Sequence, residues 1–379
     1  MKNIKNIVKI GAGVLVVILL TTSAVSAFSL SLEKEGVGFT WIREIINDAE
    51  QSKICSTSLV LDETNTEHVF YITKSNDLML SSKIQGRWFD EKLDSGVTGN
   101  YVSAKIDTMG QFHVAYGKDN LMYLKGNKLL WAEPIIVDPA SCLTEHNDIS
   151  LDLDSLNAPH ISYYDGINKD LKYARQRGSN FEVFVVDSDG NVGVSSSIAV
   201  DSKNRAHISY IDITNRDVKY AESVNGLFEV TVIDTSDLYS FQTAMDIDSN
   251  DRPNIVYGGF GLKYAIKKDN GVFEFEIVDS DGTQVFCPTI KIDDSDAIHV
   301  GYTKLAKHQG SGPPPIKFDL MYAKKDNSQW SAETAINGEP WNFIPLGNSI
   351  NVDSNRDPRM SFVDLKNSRS LEFVYRIDL

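Results

Sequence analysis

Aspartate and histidine recur through this 379-residue chain at a fixed spacing. Asp62, Asp107, Asp154, Asp201, Asp248, Asp293 and Asp353 each close an apolar run, and six residues later stand His68, His113, His160, His207, Asn254, His299 and Arg359. Carboxylate and imidazole in register are the groups of metal binding and of acid–base catalysis. Geometry argues against both. Five of the units read His-x-x-Tyr, and residues three apart on a strand point to opposite faces. Histidines of different units also stand at separate stations. Each is expected to hydrogen-bond the aspartate, or a turn carbonyl, of its own unit. Two aspartate-rich segments, Asp187-Ser188-Asp189-Gly190 and Asp279-Ser280-Asp281-Gly282, raise calcium as the alternative. A calcium loop of the EF-hand kind places its glycine two positions later and ends on a distal glutamate, so these read as turns and no cofactor is expected. No glycine-rich phosphate loop, serine-nucleophile elbow or Cys/His metal spacing occurs.

The elements that carry these residues are set by the spacing. Successive aspartates are 45, 47, 47, 47, 45 and 60 residues apart, the period of a four-stranded propeller blade. Around Asp201 the strands read Ser197–Asp201, His207–Asp212, Asp217–Glu222 and Phe228–Asp234, separated by Lys203-Asn204, Thr214-Asn215 and Asn225-Gly226. Alternating apolar residues between turn formers mark an up-and-down sheet, here called strands a to d. Tyr71, Tyr116, Tyr163, Tyr210, Tyr257, Tyr302 and Phe362 lie nine residues past each aspartate and read as packing positions. Strand d is expected to open on Trp41, Trp88, Trp131, Phe181, Phe228, Phe273 and Trp330. Trp41 precedes the first repeat aspartate, and only strands b and c come after the last. The expectation is an all-β, seven-bladed β-propeller of four-stranded blades, closed by an N-terminal strand near 39–47 that completes the last blade.

Residues 1–27 carry Lys2, Lys5 and Lys9, then an uncharged stretch from Ile10 to Ala27 ending in small residues. This reads as a signal peptide cut after Ala27, with an uncleaved anchor as the alternative. Residues 28–379 then form a single extracellular or cell-surface domain, with membrane contact only through a retained leader. Without the leader, 34 basic face 52 acidic side chains, a balance that disfavours nucleic acid. Cys55, Cys142 and Cys287 allow at most one internal bridge, so the fold rests on its core.

A function that acts once belongs where the repeat is broken. The 60-residue spacing comes from the b–c loop Lys304–Phe318, with Lys307, His308 and Pro313-Pro314-Pro315, and from the d–a connection Asn337–Phe343. Trp341 has no strand-d role, and beside Glu339 and Asn342 it suits stacking on a sugar ring. The alternative is a tryptophan that plugs the channel. Tyr101, Glu145-His146-Asn147, Asp148, Tyr239 and Gln242 fall in other d–a loops. Together they are expected to line one polar central pocket.

The run Asp201-Ser-Lys-Asn-Arg-Ala-His207-Ile-Ser-Tyr210, followed by Asp217-Val-Lys-Tyr220-Ala, resembles the repeats of secreted prokaryotic sialidase-like (BNR-type) propeller proteins. The resemblance implies the architecture over nearly the whole chain after residue 38. Sialidases use an arginine triad, a tyrosine–glutamate nucleophile and an aspartate acid/base. Here Leu59-Val60-Leu61-Asp62 stands at the early strand-a arginine position, and the c–d hairpins, such as Lys267–Phe273, are too short for the S-x-D-x-G-x-x-W box. That catalytic set does not carry over. The chain is therefore expected to be a monomeric binding propeller that engages a glycan or a protein partner. The alternatives are a glycan-active hydrolase or lyase using Glu145, His146, Tyr101 and Glu339, and a structural surface scaffold. A retaining hydrolase needs two carboxylates about 5 to 5.5 Å apart.

Overall fold

The computed structural model describes residues 30–36, 39–47, 52–141, 149–235, 242–306, 317–338, 345–365 and 370–378. These residues form strands and turns, arranged as seven antiparallel blades. Blade 1 is Ser52–Leu61, Glu67–Thr73, Asp77–Ile84 and Arg87–Ser95. Blade 4, the regular type, is Val192–Val200, Ala206–Asp212, Asp217–Val224 and Leu227–Asp234. Strand b of blade 4 is buried along its whole length, whereas strand d is largely exposed. Blades pack through their faces, so strand b meets a neighbour on each side and only the outermost strand keeps a wet one.

Three expectations need correction. In blade 2, strand d is Ile135–Asp138 and does not open on Trp131, which makes only an isolated bridge to Gly126. Pro134 lies between them and has no amide to give to a ladder. Trp131 still packs, stacked on Phe112 at 5.9 Å. In blades 5 and 6, Asp279–Gly282 is part of the continuous strand Phe273–Ile292, whose first part serves blade 5 and whose remainder serves blade 6. The change of blade falls between Gln284, which pairs with Phe260, and Val285, which pairs with Lys304, flanked by irregular residues, Gly282 at φ +77° and Cys287 at φ +48°. Strand Pro253–Lys267 likewise runs strands b and c together through Gly258-Gly259-Phe260-Gly261. Finally, the tyrosines nine residues past the aspartates do more than pack. Tyr116, Tyr163, Tyr210, Tyr257 and Tyr302 donate to Asp94, Asp138, Asp187, Asp234 and Asp279 at the end of the preceding blade's strand d, at 2.6 to 3.0 Å.

In blade 7, Phe39–Asn47 pairs antiparallel with Ser370–Asp378, outside Pro345–Val352 and Pro358–Asp364. Trp41 is fully buried, edge-on to Tyr322 of blade 6 at 5.4 Å, with its indole N–H on Glu333 at 3.0 Å. A strand not foreseen, Leu30–Gly36, pairs outside Phe39–Asn47.

Two sets of circumferential bonds hold neighbouring blades together. On the a–b turns, the residue three past the repeat aspartate takes positive φ, as at Asn65, Asn157, Asn204, Asp251 and Asp296. Asn and Asp tolerate that region and carry an acceptor. Asn204 accepts the Ser155 amide at 3.0 Å, Asp251 that of Ser202 at 3.0 Å, and Asp296 that of Ser249 at 2.8 Å. Asn65 of blade 1 accepts the Ser354 amide of blade 7 at 3.0 Å. Lining the axis, a hydroxyl four residues before the repeat aspartate accepts the next blade's amide. Ser58 takes Ala104, Ser103 takes Leu151, Ser150 takes Ile198 and Ser197 takes Met245, all at 2.9 to 3.1 Å. Ser349 of blade 7 takes Leu59 of blade 1 at 2.9 Å. Blade 5 breaks this series, because Ala244 stands where the hydroxyl belongs.

Candidate functional site in the axial pocket

The repeat Asp–His pair is a structural relay. In blade 6, Asp293 Oδ1 accepts the amides of Ser295 and Ala297 at 2.8 and 3.0 Å, and its Oδ2 meets His299 Nε2 at 3.1 Å. His299 Nδ1 meets the Tyr322 hydroxyl at 2.7 Å. Burial pushes the His299 imidazole down to about 4, against the raising pull of Asp293. Burial alone would raise the Asp293 carboxyl, but hydrogen bonds from Ser295, His299 and turn amides hold it down to about 2. His113, His160 and His207 meet Tyr123, Tyr173 and Tyr220 in the same way. In blade 5, Asn254 accepts from Tyr264 instead, while Arg252 occupies Asp248 Oδ2. Each imidazole is walled into its own blade, so the set cannot converge on a ligand.

The first aspartate of each supposed calcium segment is also committed. Asp187 takes Tyr210 and Lys219, and Asp279 takes Tyr302 and Lys304. Among the described residues no group of three His, Cys, Asp or Glu side chains could hold a metal ion.

Where the first residues of the a strands converge, on the d–a side, there is an axial cavity of about 210 Å³. Ser56, Thr57, Ser58, Ser103, Ser150, Ser195, Ser196, Ser197, Thr243, Thr289 and Ser349 form most of its wall, with Tyr101, Gln242 and Asn348. The hydroxyl oxygens of Ser103, Ser150, Ser197 and Ser349 are used as acceptors by neighbouring amides. Each therefore keeps an O–H available to donate. Gln242 Oε1 accepts the Cys287 amide, which directs its amide nitrogen away from that bond. Asn348 donates to Thr303 Oγ1 at 3.1 Å and to the Cys287 carbonyl at 3.3 Å, and its Oδ1 is enclosed without a hydrogen-bond partner. Deeper along the axis, Lys105 pairs with Asp152 at 3.1 Å and Lys291 with Asp246 at 2.8 Å, giving the channel a charged tier below the hydroxyl one. The Asp152 charge raises the Lys105 ammonium further.

Of the residues expected at this pocket, Tyr101 and Gln242 lie in its wall. Glu145, His146, Asn147, Tyr239, His308, Glu339, Trp341 and Asn342 lie outside the described residues, as do Cys142 and Asp148. The serine tier was missed, although Ser58, Ser103, Ser150, Ser197, Thr289 and Ser349 stand at one repeat position and could have been read from it. The described wall offers hydroxyl, amide and phenol groups and no carboxylate.

The chain matches no protein-family model and no curated protein. Its backbone is similar to that of several solved structures. AofleA from Arthrobotrys oligospora superposes with a TM-score of 0.53 at 10% identity, over 79% of this chain and 91% of that one. An Aleuria aurantia lectin variant in complex with Fucα1-6GlcNAc gives 0.50 at 11%, over 77% and 99%. An ulvan lyase, a polysaccharide lyase bound to a GlcA(1-4)Rha3S segment, gives 0.58 at 12%, over 88% and 96%. At such identities the likeness is one of fold. Together with the seven antiparallel blades it establishes the chain as an all-β propeller.

Proposed function

We propose that this protein is a secreted or cell-surface propeller that binds a glycan in the axial pocket, without acting on it chemically. The observation that carries the proposal is the tier of serine and threonine side chains that lines the cavity, in which Ser103, Ser150, Ser197 and Ser349 accept a neighbouring amide and keep an O–H to donate. Such donors, with the Gln242 amide, suit a ligand presenting many hydroxyl oxygens. A wall of this kind orients a sugar through hydrogen bonds, and among the described residues it carries no carboxylate. The glycan-binding names among the similar folds support the same reading. In the proposal, Trp341 with Glu339 and Asn342, together with Glu145, His146, Asn147, Tyr239 and His308, rim the pocket from the d–a and b–c loops. Phe39–Asn47 is taken as the strand that closes the disc, a role supported by its pairing and by the Ser349–Leu59 and Ser354–Asn65 bonds between blades 7 and 1.

A glycan-array screen of the protein and of its Tyr101→Ala, Gln242→Ala and Trp341→Ala variants tests this. Binding lost on substitution at two or more of these positions is the expected result. Absence of glycan binding, or binding indifferent to all three changes, removes the axial pocket from consideration.

A further inference from the structure

The repeats serve as controls for one another, and one comparison between blades 4 and 5 is informative. In blade 4, Glu222 on strand c lies in the groove toward blade 5, held by Arg205 Nη1 at 2.6 Å, by the Tyr220 hydroxyl at 3.3 Å and by Lys267 reaching across from blade 5. Lys267 also rides over the Tyr220 ring at 5.0 Å. Burial would raise the Glu222 carboxyl, but Lys267, His207 and Arg205 hold it below the usual range. Blade 5 repeats this cradle residue for residue. Arg252 corresponds to Arg205, Tyr264 to Tyr220, and Lys325, reaching across from blade 6, to Lys267, 4.6 Å over the Tyr264 ring. At the position of Glu222, however, stands Ile266.

The groove beside Ile266 is hollow. A cavity of about 330 Å³ is lined by Arg252, Tyr264, Ile266 and Lys325, with Asp326 and Asn327 on the blade 6 side, near the lower end of the size range for small-molecule sites; Asp248 and Asp296 also border it, the first engaged by Arg252 and the second by Ser249. The other blades place Ser82, Lys125, Arg175, Lys324 and Tyr375 at the position of Ile266, so it alone is aliphatic. Arg252 Nε reaches Asp248 at 2.8 Å and its Nη2 does so at 2.7 Å, which leaves Nη1, the atom that binds Glu222 in the other groove. Lys325 is held at the rim by Glu276 at 2.7 Å.

We propose that this groove, on the a–b face opposite the axial pocket, binds the carboxylate of an acidic sugar residue, which takes the place that Glu222 fills in blade 4. The guanidinium and ammonium receive the carboxylate. Asp326 and Asn327 offer acceptors for ring hydroxyls, and Asp326 disfavours a second carboxylate. That favours a hexuronate over an acidic peptide. The negative net charge of the chain does not oppose this, since exposed charges are screened beyond about 8 Å at physiological ionic strength.

Calorimetric titration of the full chain with sodium glucuronate, methyl glucoside and a Glu-Glu dipeptide tests the assignment. The expected result is one glucuronate site, at least tenfold weaker binding of the neutral sugar, and at least tenfold weakening of glucuronate by Ile266→Glu, which restores the internal carboxylate. Arg252→Gln should weaken it similarly. Glu222→Ile should open the blade 4 groove and raise the stoichiometry from one to two. Tyr101→Ala, at the axial pocket and away from the blade 5–6 groove, should leave glucuronate affinity unchanged. The proposal is overturned by a folded Ile266→Glu protein that binds glucuronate undiminished, by equal binding of methyl glucoside, by preference for the dipeptide, by loss of binding on Tyr101→Ala, or by no glucuronate binding at millimolar concentration.

Discussion

The buried imidazoles make stability depend on pH in a calculable way, and His299→Asn isolates one of them. In the folded chain His299 is fully enclosed and titrates at about 4, against about 6.5 in an unfolded chain. Its folded pKa is depressed, so between these values the unfolded state binds the extra proton. The stabilisation is present above pH 6.5 and is lost as pH falls toward 4. From pH 7 to 4.5 that loss comes to about 2.5 kcal/mol for this one residue. His68, also brought to about 4 by burial, adds a loss of the same sign. Blade 5 shows that asparagine fits the position, since Asn254 Oδ1 takes the Tyr264 hydroxyl and Nδ2 reaches the Arg252 carbonyl at 2.7 Å. His299→Asn lowers stability at pH 7, because Asp293 Oδ2 loses its ring partner. The diagnostic quantity is the slope. Urea unfolding at half-unit steps from pH 7 to 4.5 should show the variant losing about 2.5 kcal/mol less than the parent across the range. Equal losses in both proteins would refute a neutral buried His299.

Three further outcomes are expected from the bonds between blades. Trp41→Ala should cost about 3 to 5 kcal/mol by thermal or urea unfolding, and deletion of residues 28–49 should give an aggregating product by size exclusion; a monomeric, fully folded deletion product contradicts the closing role of Phe39–Asn47. Gly110 has φ +73° and open space around its Cβ position, at the station where other blades carry the Asn or Asp latch. Gly110→Asn should therefore gain about 0.5 to 1.5 kcal/mol by accepting the Glu63 amide, and a lowered melting temperature argues against the latch. Ser150→Ala should orphan the Ile198 amide and cost about 1 to 3 kcal/mol, whereas Ala244→Ser should supply the missing axial bond and stabilise by about 1 kcal/mol. Changes of the same sign in both would contradict the circumferential account.

The fold was legible because aspartate, histidine and aromatic recur at one period, and the strand rule alone disposed of a histidine metal array. Relations between blades were harder to see. Asp94, Asp138, Asp187, Asp234 and Asp279 recur as regularly as the repeat aspartates, but their partners, Tyr116 through Tyr302, belong to the following unit, and within one unit each tyrosine looks merely apolar. Trp131 misled because an aromatic in register was given more weight than the proline three residues beyond it. Ile266 is an ordinary strand residue until Lys325 of the next blade is placed beside it. The loops that break the repeat carry no periodic signal, so Trp341 and its neighbours were reached only by elimination.

The strand Leu30–Gly36 has a bearing on how the molecule is presented. It is hydrogen-bonded along the outermost edge of blade 7, antiparallel to Phe39–Asn47 with Leu30 opposite Glu44 and Gly36 opposite Phe39, so its Leu30 end lies at the outer edge toward the d–a side. A support attached through that end would hold the disc by its edge, like a coin gripped between finger and thumb. The mouth of the axis opens on the side of that mount, at its centre, and the blade 5–6 groove opens on the opposite side. Two ligands, or two parts of one long chain, could then be approached from opposite sides without competing for space.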